Sequence, residues 1–307
     1  MLRFSKHPVA LWASLAVPAA LLIGELAIVA GALPAALPDN SGQQVATPPV
    51  VEMARQPGPY RSAGVFQRNG AVIDAPILQM NERESLSVTR DLVSLSDYMR
   101  CVRDNACAAP RVRTGANGDV PVTGVSFDDA QAYAQWLSAK TSAVWRLPTD
   151  REWVALAGSR FHDPALGVEG TASDPAQRWL AAYELANSGR NAIDAVPRAR
   201  GSFGVNEFGI ADLSGNVWEW TSTCFERTTL ATNGVAIART DNCGVRVVEG
   251  AHRTYISHFV RDARGGGCSV GAPPDNLGFR LVRDTPAFRP LGRLVNWWKG
   301  IGAGKKA

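Results

Sequence analysis

A long apolar segment near the N-terminus constrains this chain more than any other feature, because it decides the compartment in which the rest must fold. Arg3 and Lys6 precede a run without charge from residue 9 to 24, and after Glu25 the apolar character resumes. A basic flank before an apolar segment places the following chain outside the cytoplasm. Residues 1–33 are therefore predicted to be a signal anchor, which the length favours, or a cleaved signal peptide. We expect an inner membrane-anchored periplasmic domain or a protein secreted to the periplasm.

The remainder divides by composition into a linker, one domain and a tail. Residues 34–60 contain six prolines and no hydrophobic period, which is typical of a linker. Residues 61–283 are predicted to form one compact domain of short strands, few helices and many turns, and residues 284–307 a basic tail with tryptophans. With 46% hydrophobic and 20% charged residues, the chain can bury a sizeable core. The net charge of +4, without a basic cluster interleaved with aromatics, gives no reason to expect a nucleic acid partner.

Five cysteines are present, and an exported compartment lets disulfides persist. Cys101 and Cys107 bracket a tight polar loop, and Cys224 and Cys243 bracket a longer loop rich in Thr, Asn and Gly. We predict these two disulfides and a free thiol at Cys268. Five unrelated thiols are the alternative, and a metal site at the first pair lacks a nearby His or third Cys.

Two helices are predicted from their capping residues. Ser126 can cap the first, with acidic residues in its opening turn, and Thr149 with Glu152 makes a capping box for the second. The apolar faces are Ala130, Tyr133, Trp136 and Leu137 in the first helix and Trp153, Leu156 and Ala157 in the second. Farther along, Trp218 and Trp220 share one face of an alternating segment, and we expect both in the core.

Several segments, in order, resemble the formylglycine-generating enzyme or sulfatase-modifying factor family. Arg-Leu-Pro-Thr with Glu-Trp at 146–153 and Gly-Asn-Val-Trp-Glu-Trp at 215–220 are specific as a pair. The other matching segments are 93–102, 121–130, 206–209, 212–214, which runs into 215–220, 246–250, 261–264 and 276–280. The resemblance implies that family's fold, a mixed α+β fold with little regular secondary structure, related to C-type lectin-like domains.

The resemblance also says where the family's chemistry should lie. Enzymes of this family hold copper(I) with two cysteines in the stretch that corresponds here to residues 250–261, which contains no cysteine. Ala251, Ile256 and Ser257 cannot replace soft thiolates, so copper is not expected. A related branch takes a histidine-ligated iron from an additional helical domain that this chain is too short to include. Formylglycine-generating oxidase activity is therefore not expected, and no catalytic residue is assigned.

Two histidines and two arginines remain as candidates for binding at this position. His252 and His258 lie six residues apart, with Arg253 and Arg261 beside them. They are candidates to line a pocket for a carboxylate, a phosphate or a side chain of a partner, or to ligate copper or zinc with a third ligand. The alternative is two solvated loop histidines.

The resemblance implies a structural calcium ion at the turn from residue 212 to 219. Its ligands would be Asp212, the carbonyls of Gly215 and Val217, and Glu219, which matches the preference of calcium for oxygen. Neutralisation of these carboxylates by Arg264 or Arg280, without an ion, is the alternative. A second family site would begin at Asn187.

Relatives of this kind without the cysteine pair occur beside periplasmic metalloenzymes, including copper nitrite reductase. The resemblance therefore implies a binding or accessory role in maturation, with a periplasmic protein as partner and membrane contact through the N-terminal segment. Two other functions stay open: a metal-dependent oxidoreductase with ligands other than cysteine, and a lectin-like ligand-binding module.

Overall fold

The structure is a computed structural model that describes residues 45–55, 57–80, 85–111, 118–161, 180, 196–261 and 276–284. In chain order the strands are β1 (Val50–Ala54), β2 (Gly58–Arg61), β3 (Val65–Arg68), β4 (Ala71–Ile73), β5 (Ile77–Met80), β6 (Ser85–Thr89), β7 (Val144–Arg146), β8 (Trp218–Leu230), β9 (Ala236–Glu249), β10 (Thr254–Ser257), β11 (Leu277–Gly278) and β12 (Val282–Asp284). The helices are α1 (Leu95–Arg103), α2 (Phe127–Thr141) and α3 (Asp150–Ala157), and a 3-10 turn follows at Gly158–Arg160.

The strands form three sheets. Four strands make the first, in the order β1-β6-β12-β7, and β2 pairs with β5 in a separate two-stranded sheet. The six-stranded sheet has the order β10-β9-β8-β3-β4, with β11 added beside β8. Its centre is the long antiparallel hairpin of β8 and β9, while β3 and β11 run parallel to β8. This sheet-rich α+β arrangement agrees with the predicted fold class.

The linker prediction is wrong for the part of 34–60 that the structure describes. All five residues of β1 pair with β6, from Val50 opposite Thr89 to Ala54 opposite Ser85, and Met53 is buried. The prolines at 48 and 49 precede this strand and do not interrupt its ladder. The domain therefore begins before residue 61, with an edge strand of its first sheet.

Both predicted helices are confirmed, with their caps. The Ser126 hydroxyl accepts from the Asp129 amide at 3.1 Å, and the Asp129 carboxylate accepts from the Ser126 amide at 2.8 Å. Thr149 and Glu152 make the same reciprocal box at the start of α3. Every residue of the two predicted apolar faces is buried. These caps satisfy amides that have no partner within the helix, so the helix starts are set locally.

Two clusters of buried side chains form the core. One lies between α1, α2 and the six-stranded sheet and contains Trp218 and Trp220, as predicted. The other lies between α3 and the four-stranded sheet and is built around the fully buried Trp153. None of the helices in the described ranges has both the length and the apolar composition that a membrane span needs. The segments 1–33 and 285–307 lie outside the described residues.

Candidate functional site

The stretch from Glu249 through β10 occupies the position where the sequence analysis places the family's chemistry. Gly250 is required by packing, because a Cβ there would stand 2.4 Å from the Trp218 indole ring. Ile256, on β10, is fully buried in the core cluster that contains Trp220. Ala251 is exposed and Ser257 is half-buried. Core packing therefore explains why an apolar residue stands at position 256, in the stretch where the family's oxidases need sulfur ligands.

Arg253 is the centre of a buried polar cluster, which comprises Tyr60, Asp150, Glu249 and Arg253. Its Nε donates to Glu249 Oε1 at 2.6 Å, and its Nη2 lies 3.0 Å from Asp150 Oδ1. Nη1 donates to the carbonyl oxygen of Arg61 at 2.8 Å. The Tyr60 hydroxyl donates to the other oxygen of Asp150, and the Tyr60 ring lies 5.5 Å from the Arg253 guanidinium. Arg253 therefore ties β2, α3 and β9 together.

The charges of this cluster do not balance. Asp150 and Glu249 are both fully buried, and the cluster offers one cation for the two carboxylates. Burial, opposed by Arg253 and reinforced by the neighbouring Asp150, raises the pKa of Glu249 well above its ordinary value of 4.5. These surroundings favour the protonated, neutral form of Glu249 over its carboxylate. Oε2 of Glu249 has no hydrogen-bond partner among the described residues, and Asp150 is the neighbouring carboxyl group that can share a proton with Glu249.

Burial also raises the pKa of the Tyr60 hydroxyl, and the negative charge of Asp150 adds to this effect. Burial opposes the charge of Arg253, but Asp150 and Glu249 overcome it and raise the pKa of the guanidinium. Tyr60 thus stays a neutral donor and Arg253 a permanent cation. A group that takes up and releases protons near pH 7 is what general acid–base chemistry needs, and neither side chain is one.

Arg146, the first residue of the Arg-Leu-Pro-Thr motif, belongs to a second ion-pair cluster at the start of α3. Arg146 donates to both oxygens of Glu152 at 2.7 Å and from Nε to Asp284 at 2.8 Å. Arg55 adds a donor to Glu152 at 2.8 Å. Burial acts to raise the pKa of Glu152, but hydrogen bonds from Arg146 and the Thr149 amide hold it below its usual range. The motif therefore joins β7, β12 and α3.

Glu219, one of the predicted calcium ligands, is engaged by Arg280. The Arg280 Nε and Nη2 atoms lie 2.5 and 2.7 Å from the two oxygens of Glu219, and both side chains are fully buried. Nη2 also donates to the carbonyl of Ala211 at 3.0 Å. This is the neutralisation that the sequence analysis gave as the alternative to an ion.

Asp212, the other carboxylate of the predicted calcium turn, organises the loop before it. Its carboxylate accepts from the amides of Gly201 at 2.7 Å and Phe203 at 2.9 Å. In this arrangement the donor set does not fit calcium unless Glu219 leaves Arg280. Calcium at this turn stays a prediction, and melting the protein in calcium and in excess chelator tests it. Asn187, the start of the second predicted site, lies outside the described residues.

The described contacts place the four predicted binding residues against different groups, although His258 and Arg261 both reach the first turn of α2. His252 lies edge-on to the Trp218 ring, with centroids 5.6 Å apart. His258 is partly exposed, and its Nδ1 lies 2.7 Å from Asp128 Oδ2. Arg261 donates to Asp129 Oδ1 at 2.5 Å, in the cap of α2, and Arg253 belongs to the buried cluster. Each of these residues holds its own neighbours in place. Among the described residues no group of three or more His, Cys, Asp or Glu side chains could hold a metal ion.

Both predicted disulfides are present. Cys101 bonds to Cys107 at the end of α1, and Cys224 bonds to Cys243 across the β8–β9 hairpin. Cys268 lies outside the described residues. The first bond is buried in the core, while Cys243 is exposed and Cys224 is half-buried.

Sequence reasoning missed a cavity between the chain before β1 and helices α1 and α2. The cavity has a volume of about 180 Å³, and one wall is the extended segment 45–49. The opposite wall combines aromatic and charged side chains: Asp97, Arg100, Tyr133, Trp136 and Arg200. Tyr133 and Trp136 were predicted only as core, and the wall they form depends on segment 45–49, which was assigned to the linker. We call this the α1–α2 cavity.

The comparisons with known proteins agree on the family. The model of the sulfatase-modifying factor enzyme 1-like domain matches residues 57–285. The formylglycine-generating enzyme of Streptomyces coelicolor is 31% identical over 191 residues, which are 55% of this chain and 56% of that protein. The inactive C-alpha-formylglycine-generating enzyme 2 of Bos taurus is 28% identical over 187 residues, 57% of this chain and 54% of that protein. The chain thus spans about half the length of these two relatives.

Other relatives are more distant or match a shorter part. Hercynine oxygenase of Mycolicibacterium smegmatis is 36% identical over 112 residues, 34% of this chain and 22% of that protein. The solved structure of PvdO from Pseudomonas aeruginosa covers 78% of this chain and 95% of its own, with a TM-score of 0.50 and 18% identity, which is a likeness of fold alone. Because the family model covers well over half of the sequence, the chain belongs to the sulfatase-modifying factor enzyme 1-like domain family.

Proposed function

We propose that this domain acts outside the cytoplasm by binding, as an accessory protein in the maturation of a periplasmic metalloenzyme such as copper nitrite reductase. One observation carries the proposal: residues 250–261 contain no cysteine, and their inward side chains serve the fold. Ile256 fills the core, and Arg253 neutralises buried carboxylates. Soft thiolates select copper(I), so this donor set does not fit the metal of the family's oxidases.

Two further findings support a binding role. The Bos taurus relative is named an inactive formylglycine-generating enzyme. A protein named as inactive is therefore among the relatives that match this chain. The α1–α2 cavity offers a concave surface on which aromatic and charged groups lie together, as they do in many binding sites. Arg100, at its rim, has a side chain that is 39% exposed and can reach a partner.

The proposal is tested with the full chain and purified copper nitrite reductase in its copper-free form. We expect saturable binding by calorimetry or surface-immobilised titration, and faster copper loading of the reductase when the protein is present. Arg100→Glu should weaken binding at least about tenfold, a loss of about 1.4 kcal/mol. Arg103→Glu is the matched control, because Arg103 is exposed on the same helix but does not line the cavity.

Absence of binding by the unsubstituted protein would refute the reductase as partner. Equal loss of binding in the two variants would refute the cavity as the contact surface. Export is tested separately: alkaline phosphatase fused at Gly300 should be active if the domain lies outside the cytoplasm.

A further inference from the structure

The two disulfides lie in opposite surroundings. Cys101 and Cys107 are 0% and 9% exposed and belong to the main core cluster. Cys243 is exposed, and every residue of β9 from Ala236 to Gly244 is exposed with it. A dissolved thiol can therefore approach the Cys243 sulfur, while the Cys101–Cys107 bond is shielded by the core.

Arg246 places a positive charge against the other sulfur of the exposed bond. Its Nη1 lies 3.1 Å from Cys224 Sγ and 2.7 Å from the carbonyl oxygen of Ser222. The guanidinium also lies over the Phe127 ring, 4.1 Å from its centroid. Together these contacts hold the cation at the sulfur.

The charge of Arg246 is not neutralised by an ion pair with any carboxylate of the described residues. Asp128, the acidic group whose charge acts on Arg246, is paired with His258. Burial lowers the pKa of Arg246, which shows that its surroundings oppose the charge. A negative charge on Cys224 would therefore give Arg246 the anionic partner that it lacks among these residues.

We propose that Cys224–Cys243 is a thiol–disulfide exchange site, at which a dithiol attacks Cys243 and Cys224 leaves as a thiolate held by Arg246. The attacking thiolate forms a bond to Cys243 Sγ as the Sγ–Sγ bond breaks, and the electron pair goes to Cys224 Sγ. The second thiol of the dithiol then displaces Cys243 and closes the reductant's own disulfide. Two electrons pass from the dithiol to the protein, and the two protons of the dithiol balance the two protein thiols. A leaving thiol that is stabilised as thiolate leaves faster, which is the role of Arg246.

The first test compares the two disulfides in one molecule. The oxidised full chain is exposed to stepped concentrations of dithiothreitol, quenched with acid and alkylated, then fully reduced and alkylated with a heavier reagent. Peptide mass spectrometry reports the reduced fraction of each cysteine. We expect Cys224 and Cys243 to be reduced at least about tenfold faster than Cys101 and Cys107, since exchange rates depend on access and on the leaving thiol. Equal rates would overturn the proposal.

The second test removes the cation. Arg246→Gln should slow cleavage of the exposed bond by at least about threefold, because a leaving thiol with a higher pKa leaves more slowly. Arg239→Gln is the matched control, because Arg239 lies on the same strand and contacts Glu226 and Asp241, not sulfur. An equal rate in the Arg246 variant and the control would assign the reactivity to exposure alone and overturn the role of Arg246.

The third test does not depend on the disulfide. Cys243→Ser leaves Cys224 as a thiol beside Arg246, and the pH dependence of its alkylation gives its pKa. We expect a pKa at least about one unit below the ordinary cysteine value of about 8.5, and a return to that value or above when Arg246→Gln is added. A pKa that is not lowered, or that the second substitution leaves unchanged, would overturn the proposal.

Discussion

Two buried carboxylates on adjacent strands of the hairpin, Glu219 of β8 and Glu249 of β9, lie opposite each other in the sheet and have different electrostatic surroundings. Glu219 accepts two short hydrogen bonds from Arg280 and shares this arginine with no other carboxylate of the described residues. Glu249 shares Arg253 with Asp150, so the same kind of guanidinium must serve two acids. Because the charge of a buried group is costly unless paired, the first site forms an ion pair and the second favours the protonated form of Glu249.

The comparison bears on function because Arg253 belongs to the stretch in which the family's oxidases hold their metal. In this chain that stretch is bound into the fold by the unbalanced cluster. Arg253 therefore has a structural role, because the cluster requires one cation between two buried carboxyl groups.

The largest effect is expected from removing the cation of the unbalanced cluster. Arg253→Met leaves Asp150 buried without its ion partner and should lower the free energy of unfolding by about 3–5 kcal/mol. Chemical denaturation of the variant and the unsubstituted protein measures this loss. Arg239→Met, at an exposed arginine of β9, is the control and should cost less than about 1 kcal/mol. A small loss in both variants would show that the cluster does not stabilise the fold.

The two glutamates should respond differently to the same substitution. Glu219→Gln removes the charge that Arg280 needs and should cost about 2–3 kcal/mol near pH 7. Glu249→Gln replaces a protonated carboxyl with a neutral amide of similar shape and should cost less than about 1 kcal/mol. Parallel denaturation curves decide the contrast. Equal losses at the two positions would show that Glu249 is ionised in the folded protein.

The free energy of unfolding should depend on pH in part through the titration of Glu249. Its pKa in the folded protein lies well above the value of 4.5 in an unfolded chain, so the folded state binds the extra proton between these two values. The contribution of this group to stability is therefore fully present below about pH 4.5 and is lost as the pH rises toward the folded pKa. The slope is at most about 1.4 kcal/mol per pH unit. Glu249→Gln should remove this component, and a curve unchanged by the substitution would contradict it.

The smallest effect is expected at the exposed contact between His258 Nδ1 and the Asp128 carboxylate. Their side chains are 37% and 55% exposed, so solvent screens the attraction. Asp128→Asn should change the free energy of unfolding by less than about 1 kcal/mol. Thermal melts at neutral pH and at low and high salt measure it. A loss as large as that of Glu219→Gln would show that the pair is part of a buried network.

Local chemistry made part of this structure predictable. The caps at Ser126 and Thr149 depend on residues within one turn, and both were found where the sequence placed them. The positions of Trp218 and Trp220 followed from strand alternation. Arg280 was one of two arginines predicted to neutralise Glu219 as the alternative to a calcium ion.

The buried cluster could not be predicted, because its members come from distant parts of the chain. Tyr60 lies 90 residues from Asp150, and Arg253 contacts the backbone of Arg61 across 192 residues. No spacing rule joins such positions before the fold is known. The N-terminal boundary was wrong for another reason. Proline content suggested a linker, but none of the six prolines lies within Val50–Ala54, which forms an edge strand with Met53 buried. The α1–α2 cavity was missed for the same reason, because segment 45–49, which was assigned to the linker, forms one of its walls.

The most direct test of the account asks whether the stretch 250–261 retains the chemistry of the family's oxidases. The full chain is incubated with copper(I), oxygen, a thiol reductant and a Cys-x-Pro-x-Arg peptide, and aldehyde is measured by mass spectrometry after hydrazide labelling. Because no thiolate pair is present to hold copper(I), we predict no aldehyde above a control without protein. Aldehyde that increases in proportion to the protein concentration would contradict the account.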